Sequence, residues 1–363
     1  MLSYRSASRS TSEAERTTRT RKPARLGQAT HAAALSVDFL ARRRVRKRAP
    51  VREVTMRTIE NILCPIDVER PSNAALRYAF FLAEAFYASL DVVHARGTPD
   101  LMLDPGFSAA THRYPESENL MRELGTLLRA VTTSVPGRAA AHVVEGGTLS
   151  AILRSALRFQ SDLIVVGSRF EASASWLFGS NVGEQLAYAA ACPVLSVPER
   201  APSSALRVRR ILLPLALGRS ATLAVHWTAA FARRFGATVE LLNVERDPGA
   251  HSTEHPGAAC EELREMLRVA GIGVEDGGSV RGGAFERILE RTESSGCDLV
   301  VMAAEPRGKR MSVTQPSLTA TICRHALIPV LSVRGADSGS AVARLGSADR
   351  HADWSSEESR VSA

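Results

Sequence analysis

The sequence predicts two consecutive α/β domains, each an open, doubly wound sheet of five parallel strands with helices on both faces. Short apolar segments without period-two alternation recur between helical segments, which is typical of parallel strands covered on both sides. The same order of segments occurs twice along the chain. In addition, 363 residues are enough for two domains of ordinary size, each with its own core.

Five apolar segments in the first half of the chain predict strands, and the segments between them predict helices. Ser72 is a residue type that caps helix N-termini, and Gly146 with Gly147 predicts a turn before the third helix. The polar segment at 97–117 is predicted to be a loop. The predicted strands cover residues 61–67, 90–94, 140–144, 162–166 and 193–197, and the predicted helices cover 73–88, 118–134, 149–159 and 181–190.

The second half repeats the first at two offsets. Ile211-Leu-Leu-Pro214 matches Ile62-Leu-Cys-Pro65 at an offset of 149 residues. Asp298-Leu-Val-Val-Met302 matches Asp162-Leu-Ile-Val-Val166 at an offset of 136 residues, and the last predicted strand repeats at the same offset. The difference between the offsets places 13 extra residues in the first half, and we assign them to the loop at 97–117. A repeat of this length indicates duplicated domains.

These patterns divide the chain into five segments. The two ends are rich in Ser and Arg and cannot bury enough apolar surface to offset the entropy of an ordered chain. We predict a disordered basic tail over 1–57, a first domain over 58–199, a linker over 200–209, a second domain over 210–334 and a disordered tail over 335–363.

The basic character of the chain belongs to its N-terminal tail. The formal net charge is +8, but residues 1–55 contain 14 Lys or Arg and only 4 Asp or Glu. The remainder is therefore close to neutral and gives no sign of a nucleic-acid-binding domain. The tail, with a basic block at 42–48, is interpreted as a solvated tail, as a contact for nucleic acid or an anionic membrane, or as a targeting segment. Translation from Met56 is a further alternative.

Membrane spans, disulfides and metal sites find no support in the sequence. No run of 18 apolar residues occurs, so no transmembrane helix is predicted. The five cysteines are widely spaced and include no Cys-x-x-Cys pair, which argues against a disulfide framework or structural zinc. Cys64 and Cys192 lie in apolar strand contexts, so we predict buried thiols and a reducing, cytoplasmic location. The loop histidines His112, His251 and His255 lack partner ligands.

Four segments, taken in order, make the chain similar to the universal stress protein family. They are Ile62-Leu-Cys-Pro-Ile-Asp67, Asp162-Leu-Ile-Val-Val-Gly-Ser168, Leu177-Phe-Gly-Ser180 and Cys192-Pro-Val-Leu-Ser-Val-Pro198. The resemblance covers about residues 58–335. It implies a strand order of 3-2-1-4-5 in each domain and pairing of domains through their last strands. In this chain the two domains would pair internally as a pseudo-dimer, with a homodimer of two chains as the alternative.

The resemblance also implies a nucleotide site at the carboxyl ends of the first and fourth strands of the first domain. Asp67 stands where the acid of the family contacts the adenosine moiety, and the carboxyl ends of central strands are where open α/β sheets bind ligands. Pro65 and Val166 lie beside this position on the two strands. A turn or helix-start role, supported by local hydrogen bonds, is the alternative for Asp67.

The glycine-rich phosphate loop of the family is only partly present. The family pattern is Gly, two residues, Gly, nine residues, then Gly-Ser or Gly-Thr. Phe170 occupies the second glycine position, and the following interval is one residue short. A phenylalanine side chain hinders close backbone approach to a phosphate and does not readily adopt positive φ. A structural turn with a capped helix is therefore the alternative. The loop residues that could contact phosphates are Gly167, Arg169, Gly179, Ser180 and Asn181.

The second domain lacks the residues of this predicted site. The position of Asp67 is occupied by Ala216. We therefore expect the second domain to be a structural or dimerising partner that binds no nucleotide in the manner of the family. At the offset of 136, the positions of Gly167, Gly179 and Ser180 hold Ala303, Gln315 and Pro316.

The sequence thus supports functions of three classes. The first is a cytoplasmic stress-response regulator that binds ATP in the first domain only, with Mg²⁺ only when ATP is bound. The second is a protein-interaction module without nucleotide, which Phe170 and the shortened loop favour, acting on unidentified partners through the pseudo-dimer surface. An enzyme, such as a weak ATP hydrolase, ranks last because no general base or metal-ligating carboxylate pair is recognisable.

Overall fold

The computed structural model describes residues 58–68, 72–96, 117–131, 138–168, 182–201, 206–215, 219–245, 256–281, 283–304, 317–334 and 360–362. The tail predicted at 1–57, the segment 169–181 and the loop predicted at 97–117 lie outside these residues, except for residue 117, which begins a helix. No helix in the described ranges is long and apolar enough to cross a membrane.

The first domain alternates strands and helices as the sequence predicts. Its elements are β1 (Asn61–Pro65), α1 (Asn73–Phe86), β2 (Ser89–Arg96), α2 (Ser117–Val131), β3 (Ala139–Glu145), α3 (Thr148–Arg158), β4 (Leu163–Ser168), α4 (Val182–Ala189) and β5 (Val194–Pro198). Ser72 caps α1, since its Oγ accepts a hydrogen bond from Ala75 N at 3.3 Å. Gly146 has φ +121°, a conformation that requires glycine, and it turns the chain into α3.

The second domain repeats this order. Its elements are β6 (Arg210–Leu215), α5 (Arg219–Phe235), β7 (Thr238–Glu245), α6 (Pro256–Val269), β8 (Val274–Arg281), α7 (Ala284–Ser294), β9 (Leu299–Ala304), α8 (Leu318–His325) and β10 (Val330–Arg334). The elements α8, β9 and β10 begin and end 136 residues after α4, β4 and β5. The offset predicted from the sequence therefore holds for the boundaries of these elements.

The strands of both domains form one continuous sheet. Its order is β11-β3-β2-β1-β4-β5-β10-β9-β6-β7-β8, where β11 is Arg360–Ser362. Each domain contributes five parallel strands in the order 3-2-1-4-5, which confirms the predicted fold class. The domains join through their last strands, because β5 pairs antiparallel with β10, with Leu195 opposite Leu331. The internal pairing implied by the resemblance is thus present in the chain.

One aspartate ties the sheet together in the same way in each domain. Asp162, just before β4, accepts hydrogen bonds at Oδ2 from the backbone N–H groups of Glu60 and Asn61, at 2.9 and 3.0 Å. Asp298, at the equivalent position before β9, accepts from Arg209 and Arg210 at 2.8 and 3.1 Å. The carboxylate satisfies the first donors of the adjacent strand, which explains why both copies of the repeat carry aspartate here.

The two faces of the sheet bury their apolar residues differently. On the face covered by α1, α2, α5 and α6, a single cluster runs through both domains. On the opposite face, the cluster under α3 and α4 is separate from the cluster under α7 and α8. The apolar contact between the domains therefore lies mainly on the first face. On the second face the two domains contact each other through polar side chains.

The C-terminal segment departs from the prediction. Disorder was expected over 335–363, but Arg360–Ser362 form β11, which pairs antiparallel with β3, with Val361 opposite Ala141. The expectation of disorder is wrong for these three residues. Composition predicts only whether a segment can form its own core, whereas an edge strand offers unpaired backbone groups to any extended segment within reach.

Candidate functional site

The carboxyl ends of β1 and β4 lie side by side where the strand order of the first domain reverses. β1 is flanked by β2 on one side and by β4 on the other, all in parallel. At such a reversal the connecting helices leave on opposite faces of the sheet, and a crevice opens that doubly wound proteins use for ligands. The structure brings four predicted residues to this edge, namely Pro65, Asp67, Val166 and Gly167.

Asp67 lies in the exposed turn after β1, between two residues that anchor the turn. Ile66 and Val68 are buried, at 7% and 8% exposure, whereas Asp67 is exposed. His94 on β2 contacts the backbone of the same turn, since its Nδ1 lies 3.1 Å from Ile66 O and 3.4 Å from Val68 N. Depending on its tautomer, Nδ1 donates to the carbonyl or accepts from the amide. His94 therefore positions the backbone that carries Asp67.

His94 was not among the residues that the sequence analysis selected for this site. The available signal was its place on the strand adjacent to β1. Val93 is opposite Pro65 in the parallel register, so His94 lies beside the first residue of the turn. The resemblance implied that β2 lies beside β1, but the register between the two strands was not given by the sequence.

Gly167 packs against the beginning of α1. A Cβ added at Gly167 would lie 2.4 Å from Ser72 Oγ and 2.5 Å from Ser72 Cβ, closer than side-chain atoms approach one another. Glycine at this position is therefore needed for packing, independently of any ligand. Ser72 Oγ also donates a hydrogen bond to Glu199 Oε2 at 2.7 Å, which brings a carboxylate from the segment after β5 to the same edge.

Of the residues predicted to contact phosphates, the described ranges contain Gly167 alone. α4 begins at Val182, directly after the segment 169–181 that lies outside those ranges. The described edge therefore contains Asp67, predicted to contact adenosine, and Gly167, the first glycine of the predicted phosphate loop. The other residues of the predicted phosphate loop lie outside the described ranges and are Arg169, Phe170, Gly179, Ser180 and Asn181.

Two cysteines of the first domain are protonated thiols at neutral pH. All five cysteines of the chain are free. Cys64 lies on β1, fully buried as predicted, and burial raises the pKa of its thiol to about 12. Cys192 is partly buried, and burial likewise raises its pKa to about 12. Thiols with such pKa values are poor nucleophiles. The described residues also contain no group of three His, Cys, Asp or Glu side chains arranged to hold a metal ion.

The equivalent edge of the second domain is built differently. Ala303 on β9 takes the place of Gly167 and carries the Cβ that Gly167 could not. Asn243 takes the place of His94, but it donates to Ser279 Oγ at 2.9 Å and accepts from Cys260 Sγ at 3.5 Å. It therefore links β7 to β8 and α6 instead of holding a turn after β6. The positions of Asp67, Gly179 and Ser180 fall on Ala216, Gln315 and Pro316, outside the described residues.

Comparison with known families agrees with the duplicated fold. The model of the universal stress protein family matches residues 58–198 and again residues 207–334. The chain belongs to the universal stress protein family. The resemblance drawn from the strand and turn motifs is thereby confirmed, and the chain is a tandem universal stress protein with two copies of the family domain.

Individual universal stress proteins resemble the chain in sequence and in fold. A Thermus aquaticus protein, described as the universal stress protein in the QAH/OAS sulfhydrylase 3′ region, is 33% identical over 139 residues, covering 38% of this chain and 98% of the relative. A universal stress protein structure from Archaeoglobus fulgidus DSM 4304 has a TM-score of 0.58 at 15% identity, covering 77% of this chain and 98% of its own. A structure of the same family name from Pseudomonas aeruginosa UCBPP-PA14 has a TM-score of 0.53 at 16% identity, covering 80% and 97%.

At these identities the structural likeness establishes the fold of the tandem universal stress protein. Fold alone does not fix a ligand, because one architecture supports many binding sites. The ligand therefore has to be argued from the residues at the β1–β4 edge of this chain.

Proposed function

We propose that this universal stress protein is a stress-response regulator that binds ATP through its first domain only, with the second domain as its pseudo-dimer partner. The observation that carries the proposal is the meeting of Asp67 and Gly167 at the strand-order reversal. Asp67 lies in the turn after β1, and Gly167 lies on β4, the strand that pairs with β1, so a carboxylate and the Gly167 backbone are neighbours at this edge. Ser72 fills the space that a side chain at 167 would take. The second domain has alanine at both equivalent positions, Ala216 and Ala303.

Each residue of the first domain has a proposed role that follows from its chemistry. The carboxylate of Asp67 accepts hydrogen bonds from hydroxyl or amino groups of the adenosine moiety. Val166 and Gly167 present backbone to the ligand at the end of β4, and Pro65 ends β1 beside them. His94 holds the turn in place through its contact with Ile66 O.

The phosphate contacts are assigned from the family resemblance. In this proposal the loop backbone and the start of α4 receive the phosphates, since helix N-termini attract anions. Mg²⁺ would accompany ATP as a ligand of its phosphates. The residues assigned to this end are Arg169, Gly179, Ser180 and Asn181.

A non-nucleotide protein-interaction module is the second candidate, and a specific observation favours it. The carboxylate of Glu199 is held by Ser72 beside Gly167, so negative charge lies close to the proposed ligand edge. Such a charge opposes a triphosphate unless cations offset it. Phe170 and the shortened loop act in the same direction.

Calorimetric titration of the full chain with ATP, with and without Mg²⁺, separates the two candidates. We expect binding that Asp67→Ala weakens about tenfold or more, because a hydrogen bond to a charged group contributes roughly 1.5–3 kcal/mol. Because Asp67 is exposed, the thermal unfolding midpoint of the Asp67→Ala chain should stay close to that of the wild type. His94→Asn, which introduces the residue of the second domain, should weaken binding less.

A matched control is Glu290→Gln, which removes an exposed carboxylate on α7 of the second domain. Its ATP affinity should equal that of the wild type. Wild-type chain that gives no heat at millimolar ATP would reject the nucleotide proposal and favour the interaction module. Binding that survives Asp67→Ala unchanged would place the ligand elsewhere on the chain.

A further inference from the structure

The junction between the two domains has a local two-fold axis. β5 and β10 run antiparallel, with Leu195 opposite Leu331 and Val194 opposite Ser332. The last strand of each domain thus meets its own equivalent. Backbone hydrogen bonds between two strands form in the same way for any pair of chains, so the strands alone do not determine which domains associate. The side chains flanking the junction must make that choice.

The aromatic contact on one face of the junction is symmetric only at its centre. Phe86 at the end of α1 and Phe235 at the end of α5 are equivalent positions, and their rings meet with centroids 5.8 Å apart. Phe81 stacks on Phe235 at 5.1 Å, and Phe231 meets Phe86 at 5.5 Å. Apolar contacts of this kind stabilise association but discriminate weakly between similar apolar partners.

The contact between α4 and α8 on the other face is asymmetric. Glu184 on α4 is buried, at 7% exposure, and its Oε2 accepts a hydrogen bond from Arg324 of α8 at 2.9 Å. At the offset of 136, Glu184 corresponds to Ala320 and Arg324 corresponds to Tyr188. The two-fold axis would create a second copy of the ion pair, but the sequence provides only one.

Tyr188 completes this asymmetry with a different partner. Its hydroxyl donates to the Oγ of Ser317, the residue that caps α8 through Ala320 N at 3.1 Å. Arg324, at the equivalent position in the second domain, pairs with Glu184 instead. The side chains that each domain presents at this contact therefore fit the other domain and do not fit a second copy of the same domain.

Alternative pairings would lose the ion pair. In a pair of first domains, each buried Glu184 would face Tyr188 of the other copy, so both carboxylates would lose the arginine that Arg324 supplies in the chain. In a pair of second domains, each Arg324 would face an alanine, Ala320. The loss of a counter-charge from a buried carboxylate is strongly unfavourable, and only the mixed pair keeps Arg324 beside Glu184.

We propose that the Glu184–Arg324 contact makes the domain pairing hetero-specific, so that the first domain selects the second domain and rejects a further copy of itself. The surface of α4 and β5 is thus a recognition surface with one fitting partner, the second domain of this chain. This inference goes beyond the proposed function and is independent of nucleotide binding.

A charge-swap cycle in the full chain tests the pair. Arg324→Glu places two carboxylates together, and Glu184→Arg places two guanidinium groups together. We expect each single change to lower the thermal unfolding midpoint by roughly 5 °C or more. The double variant E184R/R324E restores an ion pair in reversed order and should regain most of the loss. Equal losses that simply add in the double variant would overturn the proposal.

Two further comparisons keep the test decisive. Should a single variant fail to fold, the double variant still tests the pair. Folding of the E184R/R324E chain would then show that the reversed pair rescues the single change. The control is Arg287→Glu, which disrupts an exposed pair on α7 whose side chains are 56% and 65% exposed, and it should leave the midpoint nearly unchanged.

The selectivity itself is tested by making the first domain self-complementary. In Y188R/R324E, the internal contact is repulsive, while two first domains from different chains can form two Glu184–Arg pairs. We expect a larger dimer fraction than for R324E alone, measured by light scattering and by exchange between differently labelled chains. Equal dimer fractions for R324E and Y188R/R324E would show that this contact does not select the partner.

Discussion

The two domains of this universal stress protein share their framework and differ at the edge where a ligand would bind. Asp162 and Asp298 make the same pair of backbone hydrogen bonds in the two copies. At the carboxyl edge, by contrast, Gly167 is replaced by Ala303 and His94 by Asn243. Asn243 bonds to Ser279 on the neighbouring strand, whereas His94 contacts the turn after β1. After the duplication, the residues that join strands are kept, while those that shape the crevice differ. The domains therefore have one fold but are suited to different roles.

A second difference lies at the opposite end of the strands. Asp91 on β2 is paired with His142 of β3 at 2.8 Å. At the equivalent position on β7, Glu240 is fully buried, and its two oxygens are paired with Arg210, at 3.2 Å, and with Arg291. An acid is thus present at this position in both domains, hydrogen-bonded to a histidine in the first and paired with two arginines in the second.

The largest expected effect comes from removing the more deeply buried acid. We expect Glu240→Ala to lower the free energy of unfolding by about 3 kcal/mol, because it leaves two arginines without their shared carboxylate. Asp91→Ala should cost about 1 kcal/mol, since this pair is smaller and its side chains are partly exposed, at 17% for Asp91 and 11% for His142. Urea unfolding followed by circular dichroism measures both.

Glu240→Gln is the control for this pair of variants, because it keeps the size of the side chain and removes only its charge. Its free energy of unfolding should lie between that of the wild type and that of Glu240→Ala. Equal losses for Asp91→Ala and Glu240→Ala would contradict the view that the second domain depends more on its buried charge.

The next effect concerns Gly167, which is present at the carboxyl edge of the first domain and replaced by Ala303 in the second. Gly167→Ala introduces a Cβ against Ser72, and we expect a loss of about 1–3 kcal/mol in the free energy of unfolding together with weaker ATP binding. Ala303→Gly, the reverse change in the second domain, should cost less than about 1 kcal/mol. Thermal unfolding and calorimetry measure the two quantities.

Ser72→Ala combined with Gly167→Ala tests whether the clash is the cause. The equivalent residues of the second domain are Ala221 and Ala303, so the double variant copies that packing. The double variant should lose less free energy of unfolding than the sum of the two single variants, because the Oγ that lies 2.4 Å from the added Cβ is removed. The sum is the reference because Ser72→Ala alone also loses the cap of α1. Additive losses would mean that another contact limits position 167.

An effect that is absent at neutral pH and develops only above pH 9 distinguishes the first strands of the two domains. Cys64 on β1 corresponds to Leu213 on β6, and burial raises the pKa of Cys64 from 9.0 to about 12. The thiolate is therefore disfavoured in the folded chain but forms freely in the unfolded chain above pH 9. The contribution of this thiol to stability is complete below pH 9 and falls by about 1.4 kcal/mol per pH unit up to the folded pKa.

Cys64→Val removes this titration. Its unfolding free energy should fall less steeply above pH 9 than that of the wild type, whereas the two chains should behave alike at neutral pH apart from a constant packing difference. Urea unfolding over a series of pH values measures the slopes. Identical slopes for the two chains would show that Cys64 is not shielded from ionisation by burial.

Much of the architecture follows from local sequence patterns. Apolar runs such as those at β4 and β9 form buried parallel strands, and Ser72 caps α1 as its residue type predicts. The motif Asp-Leu-Ile-Val-Val at 162–166 and its counterpart Asp-Leu-Val-Val-Met at 298–302 predicted both the duplication and the start of the fourth strand in each domain. These features are predictable because strand periodicity and helix caps depend on residues close together in the chain.

The candidate site was predictable only where it lies in a motif. Asp67 and Gly167 were identified because each ends a recognisable strand. The structural role of Gly167 was not, because its contact with Ser72 joins residues on different elements. His94 and Glu199 were missed for the same reason, as each reaches the edge through a side-chain contact across strands.

By itself, the sequence determined the two domains, their parallel strands and the loss of the site residues in the second domain. Only the tertiary structure decided that the domains share one sheet, that Glu184 meets Arg324, and that β11 covers the edge of β3. The physical reason is range: strand and helix formation is governed by neighbours along the chain, whereas pairing between distant segments depends on register and on side chains that meet only after folding.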